Sequence, residues 1–147
     1  MCNKFELVIL GLSSRNIEKD LGIKTHYINF LYDDISRALL YNSSDLLVFP
    51  SIQENLSNIA MEALASSTPI VAFNIGGMPD LIEHNVNGYL ATPFDYKDFS
   101  KGILSVVKSN QELIMSKKAR KKAEKCYLPK VVASQYQLIY NEILSCT

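Results

Sequence analysis

Tryptophan is absent, cysteine occurs only three times, and fifteen Lys and Arg are balanced by fifteen Asp and Glu in 147 residues. Each shortage removes a class of protein. Cys2, Cys126 and Cys146 are odd in number, far apart and without a C-x-x-C pair, so no disulfide framework is expected and a reducing compartment is the simplest reading. No apolar run approaches the roughly 18 residues that span a bilayer, and the Leu7–Leu12 stretch follows Glu6 rather than a basic segment. A cytoplasmic protein is the expectation, and without an export signal the acceptor patterns Asn42-Ser43-Ser44 and Asn55-Leu56-Ser57 have no chemical consequence. No internal repeat or low-complexity segment is present. A chain of this size buries roughly 70% of its unfolded surface, enough for one domain with a core of its own.

The neutral total hides an asymmetry. Residues 1–100 carry 6 basic and 12 acidic side chains, whereas residues 101–147 carry 9 basic and 3 acidic. A nucleic-acid binder shows its basic surface across the fold, so no nucleic-acid partner is expected. Six of the nine residues from Lys117 to Lys125 are basic, in a helical pattern. A solvated helix face is the plain reading of that run, and peripheral contact with an anionic membrane is the alternative.

Short β-rich runs alternate with helical patterns up to about residue 109. Candidate strands are Phe5–Leu10, Thr25–Phe30, Leu46–Phe49, Ile70–Phe73 and Gly88–Ala91, and continuous apolar runs among them suit strands covered on both faces. The helices between them have recognisable ends. One follows Ser13-Ser14 and stops at Gly22. One is capped by Asp33 or Asp34, buries Ile35 and Leu39, and ends near Asn42. One begins near Ser57, carries Ala60, Met61 and Leu64 inward, and is broken at Ser66-Ser67-Thr68-Pro69. A short one opens at Pro79, and Asp95 caps another that runs to about Ser109. The alternation predicts an α/β fold, a Rossmann-like doubly wound parallel sheet over residues 1–109. Residues 110–147 read as C-terminal helices, one capped by Asn110 and ending near Cys126, the other opened by Pro129. The latter has Val132, Tyr136, Ile139, Tyr140 and Ile143 on one stripe, which must pack on the core or on a partner domain.

Ligands of open parallel sheets bind beyond the carboxyl ends of the strands, which selects two loops. The first, Pro50 to Leu56, enters a helix at Ser57, where unpaired N–H groups and the helix dipole suit a phosphate. Glu54 precedes that helix and Glu62 lies in its second turn, two acceptors of the kind that vicinal hydroxyls require. A cap and a solvated face explain the same two glutamates. The second loop carries Gly76-Gly77, which either lets backbone approach a ligand closely or makes a tight turn into the Pro79 helix. His26 and His84 read as solvated rather than as acid–base groups. A receiver domain is set aside because Asp45 precedes its strand, at the wrong sheet edge.

Pro50-Ser51, Glu54, Glu62-Ala63-Leu64-Ala65, Thr68-Pro69-Ile70-Val71-Ala72, Gly76-Gly77-Met78-Pro79-Asp80 and Asn87-Gly88, in that order, resemble the carboxyl-terminal domain of retaining GT-B glycosyltransferases of family 4. The resemblance implies a donor nucleoside-diphosphate sugar lying against this domain and transfer of its sugar to an acceptor hydroxyl without a metal or other cofactor; no D-x-D occurs in the chain. It implies Glu54 as the catalytic-site glutamate touching donor-sugar hydroxyls and Glu62 as the ligand of the ribose diol. The amides of Leu56, Ser57, Asn58 and Ile59 would cradle phosphates and sugar, with Gly76 and Gly77 close by. Asn29 and Phe30 would hold the base.

Departures from the pattern limit what is implied. The family's first strand, with an Arg and a Lys that clamp the diphosphate, would precede Met1, and Arg15 and Lys19 read as ordinary helix surface. Asn55-Leu56-Ser57-Asn58 replaces Gly-Phe-Gly or Gly-Phe-Pro-Asn, and Asp80 replaces Glu. The expectation is a donor-binding half that is inactive alone and needs an acceptor-binding domain or subunit. A non-catalytic nucleotide-binding or interaction module derived from such an enzyme is the alternative.

Overall fold

The computed structural model describes residues 5–11, 22–109 and 113–145. The expected first helix with Arg15 and Lys19, and Cys2, Asn110 and Cys146, lie outside the described residues. The fold is α/β with parallel sheets and C-terminal helices, in two compact units, Met1–Arg37 and Ala38–Thr147.

In the first unit β1 (Glu6–Leu10) pairs in parallel with β2 (Lys24–Ile28), with Glu6 opposite Lys24 and Leu10 opposite Ile28. The Gly11 N–H extends the pairing to the Ile28 carbonyl at 3.0 Å. Glu6 accepts from Lys24 at 2.9 Å and lies 2.7 Å from the His26 ring, and the Lys24 hydrogen bond, then His26, holds its carboxyl below the usual range. His26 is therefore a partnered surface group. β2 stops at Ile28, two residues short of the expected Phe30, which puts Asn29 and Phe30 beyond the strand.

Helix α1 (Asp34–Asn42) starts as its cap predicts: the Asp33 carboxylate accepts the Ser36 N–H at 2.7 Å. Its buried face is not the expected one. Ile35 and Leu39 are 75% and 65% exposed, and Tyr41 is buried instead. At 100° per residue Tyr41 stands about 200° from Leu39, so the helix turns the expected stripe outward.

In the second unit β3 (Leu47–Phe49), β4 (Ile70–Phe73) and β5 (Gly88–Ala91) form a parallel sheet in that order. β4 is buried throughout and serves both faces by alternation. Ile70 and Ala72 join the cluster with Tyr41, Leu64, Met78, Leu81, Ala119 and Ala123, while Val71 and Phe73 join Phe99, Val106 and Met115 on the other side. Phe73 also meets the Tyr96 ring edge-on at 5.7 Å. Coverage of both faces is incomplete elsewhere, since Val8 of β1 and Val48 of β3 are exposed.

Helix α2 (Asn58–Ala65) is capped by Ser57 and closed by Ser66 and Ser67, whose positive φ of 65° ends it before Pro69. The short α3 (Met78–Leu81) has Pro79 in its first turn, and the Asp95 carboxylate caps α4 (Tyr96–Ser109) by accepting from Lys97 and Asp98. Helix α5 (Ile114–Cys126) begins at Ile114, after Leu113 in a left-handed conformation. Helix α6 (Pro129–Ser145) buries none of its residues; Tyr136, Ile139, Tyr140 and Ile143 of its predicted stripe are all more than half exposed. No described helix is long and apolar enough to cross a membrane.

Candidate functional site

The β3–α2 loop and the β4–α3 loop meet beyond the carboxyl ends of their strands. The Gly77 N–H donates to the Asn55 carbonyl at 2.6 Å. Side chains have no room at this junction. A Cβ on Gly76 stands 1.8 Å from the Glu54 carbonyl oxygen, one on Gly77 stands 2.5 Å from that of Asn55, and Gly76 holds φ +50°. The glycine pair therefore supports the backbone of Glu54 and Asn55, a role that neither turn propensity nor ligand approach had singled out. Its signal in sequence is only the doubled glycine after a buried strand.

Glu54 is half-buried, and one of its carboxylate oxygens accepts the N–H of Asn55 at 3.1 Å. Ser57 is buried and its hydroxyl accepts the Ala60 N–H at 3.3 Å, filling one of the four orphan donors of the helix start. Among the described residues no carbonyl or side chain takes the N–H groups of Leu56, Ser57, Asn58 or Ile59. These amides collect at the positive end of α2, flanked by exposed side chains of Leu56, Asn58 and Ile59. An anion is the chemical complement of that arrangement.

Glu62 is half-buried one turn further on, where it borders a groove of about 350 Å³ between α2 and α5, beside Met61, Arg120, Tyr127 and Leu128. Glu54 is not among the residues lining that groove. The groove's far wall is tied down from several sides. Arg120 donates to Glu124 at 2.7 Å and to the Ala65 carbonyl, Lys122 bonds Glu83 at 3.0 Å, and the Tyr127 hydroxyl donates to the Asp80 carbonyl at 2.9 Å. Burial is the main cause that raises the Tyr127 hydroxyl pKa, and the Glu83 hydrogen bond raises that of Lys122. Arg120 and Tyr127 are not singled out by the sequence, because the Arg120 contact with the Ala65 carbonyl and the Tyr127 contact with the Asp80 carbonyl reach other elements.

Asn29 and Phe30 follow β2 in the first unit, both exposed. His84 accepts the Leu90 N–H at 3.2 Å and packs on Tyr89, with ring centroids 4.4 Å apart. Asn87 is buried with its amide satisfied, accepting from the Glu83 N–H and donating to the Leu81 carbonyl. A Cβ on Gly88 would stand 2.2 Å from the Ile70 carbonyl oxygen, so the Asn87-Gly88 pair is a device of the fold.

Known proteins are similar to this chain in sequence and in fold. An uncharacterized glycosyltransferase of Haemophilus influenzae is 34% identical over 121 residues, covering 80% of this chain and 34% of its own length. The N-acetyl-alpha-D-glucosaminyl L-malate synthase of Bacillus anthracis is 28% identical over 127 residues, covering 86% and 33%. Among solved structures, a sucrose-phosphate synthase from Thermosynechococcus elongatus superimposes with a TM-score of 0.78 at 20% identity over 97% of this chain and 39% of that one. An Anabaena HepE in complex with UDP gives 0.72 at 24% over 95% and 40%. These neighbours share the GT-B fold, and this chain spans about a third of the length of such relatives. Residues 2–125 match the family described as glycosyl transferases group 1, and the chain belongs to that family.

Proposed function

We propose that this chain is the donor-binding half of a retaining family 4 glycosyltransferase, which moves a sugar from a nucleoside diphosphate to an acceptor hydroxyl. The observation that carries the reading is the set of unpartnered amides from Leu56 to Ile59 at the start of α2, with Glu54 before it and Glu62 within it. In this reading the amides hold the diphosphate, whose charge grows as the sugar departs, and so favour the leaving group. Glu62 accepts from the ribose diol and Glu54 from hydroxyls of the sugar, which fixes the anomeric carbon for attack. Gly76 and Gly77 act through the Glu54 backbone rather than on the ligand.

The acceptor is held by a separate domain or subunit, and the exposed apolar stripe of α6 is the surface it covers. The chain alone binds donor without turnover. Titration calorimetry with UDP-, GDP- and ADP-sugars tests the reading. One of them binds, and Glu62→Ala weakens it by roughly 10- to 150-fold, the worth of a charged hydrogen bond of about 1.5–3 kcal/mol. Absence of binding at millimolar ligand, or an unchanged affinity in Glu62→Ala, refutes it.

A further inference from the structure

Helix α5 carries six basic residues and sorts them into two sets. Arg120 and Lys122 are committed to Glu124, the Ala65 carbonyl and Glu83. Lys117, Lys118, Lys121 and Lys125 are exposed and have no hydrogen-bonding or ionic partner among the described residues. At 100° and 1.5 Å per residue these four occupy roughly 100° of arc over about 12 Å of helix. The arc is centred about 150° around the helix from Met115, Ala119 and Ala123, the residues that bury α5. The one acid of the helix, Glu124, is held by Arg120 at the margin of the arc.

A face whose only task is solubility mixes both signs. This one is purely cationic on a chain of zero net charge, so any attraction it exerts is local. We propose that the Lys117–Lys118–Lys121–Lys125 face docks on an anionic lipid bilayer. Four lysines within one 100° arc can reach a flat anionic surface together, because their long stems let the ammonium groups level out. The lysine stems lie along the apolar boundary while their ammonium groups reach headgroup phosphates. Nucleic acid fits less well, because the face has neither a free arginine for bidentate contacts nor an aromatic ring for base stacking. This inference is independent of the proposed donor site.

Vesicle sedimentation of the full chain is the test, with phosphatidylcholine alone and with an equal part of phosphatidylglycerol. The chain pellets with anionic vesicles at about 0.01 M salt, is released at about 1 M, and does not pellet with neutral vesicles. Each Lys→Gln change weakens binding about fivefold, and the quadruple Lys→Arg variant retains it. The double variants Lys117→Gln/Lys121→Gln and Lys118→Gln/Lys125→Gln, checked for fold by circular dichroism, each lose about 25-fold. Failure to bind anionic vesicles at low salt, equal binding to neutral ones, unchanged affinity in the folded doubles, or preference for single-stranded RNA over vesicles overturns the proposal.

Discussion

The N–H of Gly77 reaches the carbonyl of Asn55 at 2.6 Å and thereby fastens the β4–α3 loop to the loop that carries Glu54. The contact requires glycine at both positions of the pair, for different reasons. Gly76 combines a positive φ with a Cβ position on top of the Glu54 carbonyl oxygen, whereas Gly77 has an ordinary φ of −87° and only the close approach.

Gly76→Ala therefore meets both strain and a clash with backbone, and costs more than about 2 kcal/mol. For a chain of this length that lowers the melting temperature by roughly 4–8 °C or more. Gly77→Ala is relieved by moving the Asn55 loop away, so it costs less stability and more donor affinity. Thermal melts and donor titrations of the two variants separate the effects, and equal behaviour of the two contradicts these separate roles for Gly76 and Gly77.

Ser57→Ala removes the side-chain acceptor for the Ala60 N–H and costs about 1 kcal/mol. The loss is read from denaturant unfolding. Ser57→Asp keeps an acceptor and recovers much of that stability, but it brings a negative charge to the amides assigned to the diphosphate and weakens donor binding. A Ser57→Asp chain that binds donor as tightly as the original contradicts the phosphate assignment.

Asp98 accepts the Thr92 N–H and the Tyr89 hydroxyl, each at 2.8 Å, and the Thr92 bond is the main cause that lowers its carboxyl pKa. A folded-state value below the unfolded one means that its stabilisation is complete above about pH 4 and is lost as pH falls through the lowered value. The Tyr89 hydroxyl is raised, chiefly by the same Asp98 bond, so its contribution is present below about pH 10 and disappears as pH rises through the raised value. Melting temperatures recorded across acid pH fall less steeply for Asp98→Asn than for the original chain. Parallel curves contradict the assignment.

The exposed stripe of α6 predicts a contrast with the core. Ile139→Ser and Tyr140→Ser change the stability of the chain by less than about 0.5 kcal/mol. Leu64→Ala, at a fully buried position, costs about 2–5 kcal/mol. Unfolding curves decide this, and a large loss from either α6 change shows that the stripe is already covered.

Much of this architecture is legible in the residues. Ile70–Phe73 reads as a buried parallel strand because both of its faces meet helices, and a continuous apolar run is what that demands. The start of α2 reads from Ser57 because a cap is a local bond. The orientation of α1 does not read correctly: Ile35 and Leu39 share a stripe, but the side chain that enters the core is Tyr41, and the choice is made by packing from other elements. The same limit hides the task of Gly76-Gly77, which depends on the distant backbone of Glu54 and Asn55, and the division of the α5 cations, which depends on Glu83 and the Ala65 carbonyl. In the candidate site, sequence supplies the residue types and the helix start. Which amides stay unpartnered is decided by the surrounding hydrogen bonds.

Those amides report on the diphosphate directly in two-dimensional ¹H–¹⁵N spectra of the labelled chain during titration with UDP, GDP and ADP. Saturable shifts of the Leu56, Ser57, Asn58 and Ile59 amide signals are expected with at least one nucleotide, weakened by Glu62→Ala at the ribose. Shifts confined to other regions, or none at millimolar nucleotide, would contradict the diphosphate assignment.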